Sequence, residues 1–98
     1  MAQTESTMLT MLKTDLGIKS TTAYNTRLDQ LLTAAQQMIR GEGVSTLDTS
    51  DPNDMQLIVL YAAWLWRRRD DMQGMPRMLR WALNNRIFAE KAGASHDS

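Results

Sequence analysis

The only histidine, His96, stands third from the C-terminus in a polar stretch. A general acid or base must be held within hydrogen-bond reach of the proton it moves, and nothing around His96 fixes it. Asp48, Asp51 and Asp54 recur at every third position, a spacing that hints at a calcium loop. The alternating acids, central glycine and terminal glutamate of such a loop are missing, so capping and solvation are the expected roles. There is no cysteine, hence no disulfide frame and no thiolate metal ligand. No glycine-rich loop of the kind that cradles phosphates is present. The expectation is a non-enzyme with no catalytic residue, no cofactor and no metal.

The densest chemistry is basic. Arg67, Arg68, Arg69, Arg77, Arg80 and Arg86 face only Asp70 and Asp71 in the same stretch, a local charge of +4. One reading is a solvated helix end, where exposed ion pairs are worth little. The others are a seam against an acidic partner surface, or a belt facing DNA phosphates. The seam is the favoured reading. A second basic candidate is LKTDLGIKSTTAYNTRL, residues 12–28, which has a glycine between two helical stretches as a DNA-binding helix-turn-helix does. Ile18 and Ala23 suit its inward positions. Lys13 falls where a small residue is needed and Thr26 where an apolar anchor is needed, so a capped helix hairpin fits better.

These residues must be positioned by helices. The run MQLIVLYAAWLW, residues 55–66, is interrupted only by Gln56 and is too short to cross a bilayer, which takes about 20 apolar residues. Asp51-Pro52 before it is a helix start and three arginines after it complement the dipole at a helix end, which predicts a helix over residues 52–71. Leu57, Ile58, Tyr61 and Leu65 share one arc of that helix. Trp64 and Trp66 lie about 200° apart, so one is assigned to the core and the other to a contact between helices or subunits. The expected core is therefore Leu57, Ile58, Tyr61, Trp64 and Leu65. A helix apolar almost all round must be covered on nearly all sides, by its own chain or by a second copy.

Three further helices are expected around it. Met8, Leu9, Met11, Leu12 and Leu16 have helical spacing and Gly17 is a suitable left-handed cap, giving residues 6–16. Ser20, Thr21 and Thr22 are candidate caps for a helix over 22–40 with its stripe at Tyr24, Leu28, Leu31, Leu32, Ala35, Met38 and Ile39. Its opposite face, including Asn25, Gln30, Thr33, Gln36 and Gln37, carries few charges and suits either solvent or a polar partner. Residues 41–51 read as a loop, and Pro76 starts a last helix over 76–90. Residues 1–7 and 91–98 read as polar tails.

At 98 residues the chain reads as a single domain. The fold class expected is all-α, a compact bundle of about four helices with a long, nearly fully apolar third helix. Bases and acids are both 11, which argues against a dedicated nucleic-acid binder. The balance is uneven: residues 1–54 hold four bases and seven acids, and the rest carries the opposite excess. The opening MAQTESTM has neither a basic start nor an apolar run, so a soluble, non-exported product is expected. Eight methionines serve either as flexible core filler or as an adaptable contact surface.

The stretches LYAAWLWRRRDD (60–71) and MPRMLRWALNNRIF (75–88), preceded by MLKTDLGI (11–18) and the helix from Tyr24 to Arg40, resemble the small head-tail connector proteins of tailed bacteriophages, also called head-completion or DNA-packaging adaptor proteins. The most specific part is an aromatic residue followed by arginine and an acid, here Trp66, Arg69 and Asp70, with a Met-Pro helix start shortly after. Trp66 and Arg68 stand where family members often have tyrosine and asparagine. The resemblance implies a homo-oligomeric ring below the portal protein, at the portal vertex of a virion assembled in the host bacterial cytoplasm. Such a ring extends the DNA channel, lets DNA pass without sequence-specific binding, docks a stopper or tail-completion protein, and involves no membrane. Trp66, Arg67, Arg68, Arg69, Arg77, Arg80, Trp81 and Arg86 are the expected subunit or portal interface. The alternative is a small helix-turn-helix DNA-binding regulator. Head-to-tail rings need two different, complementary faces, which an acidic half and a basic half could supply.

Overall fold

The computed structural model describes residues 7–18, 22–68 and 74–97, the last segment with side chains as far as Ala92. Among them are four α-helices and no strand: α1 (Thr7–Leu16), α2 (Asn25–Gly41), α3 (Pro52–Arg67) and α4 (Arg77–Asp97). The all-α class is as expected. α3 is the hub, packing against each of the other three, while α1 and α2 also touch each other and α4 has α3 as its principal neighbour. The Cα extents are 46 × 37 × 17 Å. With helices packing about 8–10 Å apart, this is a slab roughly two helix layers deep.

Local chemistry sets most boundaries. Gly17 has φ +72°. Its N–H donates to the Thr14 carbonyl and that of Ile18 to the Lys13 carbonyl, the paired bonds of a Schellman ending for α1. Asp51 caps α3 by accepting from the Asp54 N–H at 3.0 Å, with Pro52 in the first turn. α2 differs from expectation. It begins at Asn25, and its cap residue Tyr24 makes no side-chain cap bond. Thr22 instead lends its carbonyl to the Asn25 N–H, a turn that leads into the helix; Ser20 and Thr21 lie outside the described residues.

Three more expectations are corrected. α3 is 16 residues long, shorter than α2 and α4, and ends at Arg67 with Arg68 as its cap residue; 69–71 lie outside the described residues. Nor is it covered all round: Gln56 is exposed, and Leu60, Trp64, Leu65 and Trp66 are only half-buried. Three neighbours cover three sides of a helix, and the fourth stays open. α4 continues through the stretch expected to be a tail and ends at Asp97. Ala89, Ala92 and Ala94 are good helix formers, and no proline follows Pro76 to stop it. The 42–51 connection is a loop, as expected, and it also supplies core residues. Val44 (fully buried) and Leu47 enter the core beside Leu12, Leu28, Ile39 and Ile58.

Of the expected core residues, Leu57, Ile58 and Tyr61 are buried, while Trp64 and Leu65 pack against the core half-exposed. Neither tryptophan is an interior residue. The Trp64 ring meets Tyr61 edge to face at 5.5 Å, and Trp66 meets Tyr24 of α2 in the same way at 5.6 Å. Burial pushes the Tyr61 phenol above its usual value, with Glu42 adding to the shift and Arg68 and Arg80 opposing it.

Candidate interaction surface

The residues that position α4 were the least legible in the sequence. Asp54, in the first turn of α3, is 4% exposed. Its carboxylate accepts from Arg86 Nε at 2.7 Å and Nη2 at 3.3 Å, and from the Asp48 backbone N–H at 2.9 Å. Arg86 Nη2 also donates to the Thr46 carbonyl and hydroxyl at 3.3 and 3.2 Å. One turn further along α4, Glu90 accepts from the Ser45 hydroxyl at 2.8 Å, from the Thr46 N–H at 3.1 Å and from the Thr46 hydroxyl. This clasp joins the 42–51 loop, the start of α3 and the middle of α4. The hydrogen bond to Asp54 holds the Arg86 guanidinium above its usual pKa against the opposing effect of burial. The hydroxyls and N–H of Thr46 and Ser45 hold Glu90 below the usual carboxylate value. Arg86 is therefore an anchor within the chain.

The other arginines divide in the same way. Arg67 Nη2 lies 3.2 Å from the Asp15 carbonyl and 3.4 Å from its carboxylate, joining the ends of α1 and α3. The Arg68 guanidinium lies over the Trp64 ring at 5.0 Å, a cation–π contact. Arg67, Arg68 and Trp66 thus face partners within the chain. Arg69 lies outside the described residues. Arg77 and Arg80 are exposed and form no ion pair among the described residues.

With Leu79 and Leu83 buried and Arg86 in the clasp, α4 turns its opposite face outward. Met78, Trp81 and Phe88, at steps of three and seven, share that face. They are 82%, 68% and 75% exposed. Large apolar side chains that line up in the open mark a contact surface more often than scattered ones do. Beside this ridge runs a groove of about 390 Å³ between α3 and α4, with Leu57 and Leu60 against Trp81 and Ala82 and with Gln56 and Asn85 as polar rim. A second groove, about 300 Å³, runs between α1 and α3, lined by Met11, Thr14, Asp15, Val59 and the same Gln56 and Leu60. Gln56 and Leu60 of α3 line both grooves. This is the open side of α3.

What the surface offers is docking area. Among the described residues no group of three acids, histidines or cysteines is placed to hold a metal ion. Asp48, from the acid triplet, accepts from the Ser50 N–H and hydroxyl, which lowers its carboxyl pKa. Among the described residues no helix is long and apolar enough to cross a membrane. Thr26, at the anchor position of a helix-turn-helix, is exposed. Comparison with protein-family models, with curated proteins and with solved structures gives no match for this chain.

Proposed function

We propose that this chain is a structural subunit of a phage head-tail connector. In this reading copies assemble into a ring below the portal, continue the DNA channel without reading its sequence, and present a docking surface for a stopper or tail-completion protein. The observation that carries it is the outward ridge of Met78, Trp81 and Phe88 beside the uncovered strip of α3. A helical subunit with an apolar ridge and apolar grooves has the makings of an assembly module. The sequence resemblance of residues 60–71 and 75–88 supplies the kind of assembly. Exposed Arg77 and Arg80 at the edge of the ridge suit the seam reading of the basic half.

The test is light scattering on the full chain over a range of concentrations, alone and with purified portal. Assembly alone or on the portal is the expected result. A strict monomer under both conditions, together with a retarded DNA duplex, would reject the connector reading in favour of a regulator.

A further inference from the structure

We infer that α4 is an arm that opens as a unit from a body made of α1, α2 and α3, and that Arg86, Asp54, Glu90 and Thr46 are its latch. The inference goes beyond the ring reading and does not depend on it. Unequal anchoring is its first ground. α1, α2 and α3 pack on one another pairwise, whereas α4 has α3 as its principal neighbour. Among the described residues α4 contributes only Leu79 and Leu83 to the buried apolar core; the rest of that core belongs to α1, α2, α3 and the 42–51 loop. An element with few buried apolar contacts opens at a lower free energy than the core does.

The way the clasp divides is the second ground. Arg86 and Glu90 both belong to α4, one turn apart with Nη1 and Oε1 at 3.7 Å, and are placed to pair with each other once α4 has left. Asp54 keeps the Asp48 N–H at 2.9 Å and stays in the first turn of α3, where the helix dipole favours a carboxylate. Ser45 and Thr46 are exposed, so water replaces Glu90 at their hydroxyls. Each half of the joint therefore stays satisfied when the halves part. The Coulombic gain of a buried ion pair is largely offset by the cost of desolvating it, so the clasp orients α4 more than it holds it down. Opening changes what the chain presents. The arm adds Leu79 and Leu83 to its exposed Met78, Trp81 and Phe88, and the body bares Leu57, which faces α4 across the groove. The latch thus sets how much apolar surface is offered to another chain.

The test is native-state amide exchange on the full chain, read between Arg80 and Glu90 in α4 and across α2 and α3. In the wild type the α4 amides should exchange about tenfold faster, or more, than the slowest amides of α2 and α3. Equal rates would overturn the inference, since α4 would then open only when the whole molecule unfolds. Leu28→Val weakens the body at a buried position of α2 outside the clasp. It should speed exchange in α2 and α3 and leave α4 unchanged, because the contacts of Leu28 persist whether the arm is closed or open. Acceleration of α4 by the same factor would overturn the inference. The latch is tested by distance. The chain has no cysteine of its own, so Gln37→Cys in α2 and Lys91→Cys in α4, both exposed, accept a pair of spin labels. Arg86→Gln in that background should add a second, longer distance while the amides of α2 stay protected. A single unchanged distance would reject the clasp as the latch, and loss of α2 protection together with the new distance would show that the body does not outlast the arm.

Discussion

Asp54 and Arg86 are the residues on which the placement of α4 depends. A buried ion pair is costly to form, but removing one partner leaves the other uncompensated, which costs about 3–5 kcal/mol. Asp54 is the more buried partner, with its side chain 6% exposed against 21% for Arg86. Arg86→Leu, which strands Asp54, should therefore destabilise the fold by about 3 kcal/mol in urea titrations. The double variant with Asp54→Asn should recover part of that loss. Equal losses in the single and double variants would show that Asp54 is not left uncompensated. Glu90 sets a pH dependence. Its folded-state pKa lies below the ordinary 4.5, so its contribution is fully present above that value and is lost as pH falls through the depressed one. Wild type and Glu90→Gln should thus differ most near neutrality and converge in acid. Asp48, also lowered, acts in the same window, so the comparison is made against an Asp48→Asn background. Tyr61 works at the other extreme. Because burial raises its pKa, the folded chain holds a proton that the unfolded chain releases, and stability should fall as pH rises above 10. Tyr61→Phe should remove that part of the alkaline slope.

At the scale of the element, α1 and α3 are held by different terminal devices. Gly17 has φ +72° and open space where a Cβ would stand, so Gly17→Ala tests the left-handed conformation alone. The expected cost is about 1–2 kcal/mol, measured by thermal or urea unfolding, and no change would mean that the Schellman ending is dispensable. Asp51→Ala should cost about 1 kcal/mol through loss of the cap to the Asp54 N–H. Because Asp54 also takes part in the clasp, this substitution should loosen α4 as well. Amide exchange should show faster opening in α4, not only in the first turn of α3. Gly43, at φ +120°, has a similar role in the loop. It turns the chain beside Ile87 so that Val44 and Leu47 can enter the core.

For the whole molecule, the proposed seam combines apolar ridge and exposed charge, which respond differently to salt. Charge attraction between exposed groups is screened over about 8 Å at physiological ionic strength. Raising salt should therefore weaken assembly in part, and Arg77→Glu with Arg80→Glu should mimic that loss at low salt. A phosphate-facing belt predicts something else: an intact assembly whose weak, sequence-independent DNA affinity falls steeply with salt. Light scattering and duplex retardation across one salt series separate the two.

The sequence by itself determined the four helices, the endings at Gly17 and Asp51, the buried stripe of Leu28, Leu31, Leu32, Ala35 and Ile39, though not the exposure of Tyr24 and Met38 that share its pattern, and the core positions Leu57, Ile58 and Tyr61. Each of these is written within a few turns of chain, where periodicity and capping act over three to seven residues. It did not determine how far α4 runs, because alanines and a polar surface suit a helix and a tail alike. It did not separate the arginines either. Arg86 and Asp54 are 32 positions apart, as unlike in sequence as any solvated pair, and only the docking of α4 across the start of α3 brings them to 2.7 Å. The same docking decides which side of α4 is outside. Leu79, Leu83, Met78, Trp81 and Phe88 are all apolar, and local pattern cannot say which of them face a neighbour and which form a ridge. Val44 and Leu47 are buried for a related reason: a loop residue joins a core only when helices distant in sequence meet around it. Tertiary structure decided these things because burial and charge pairing depend on what lies across the fold, which no local window of sequence contains.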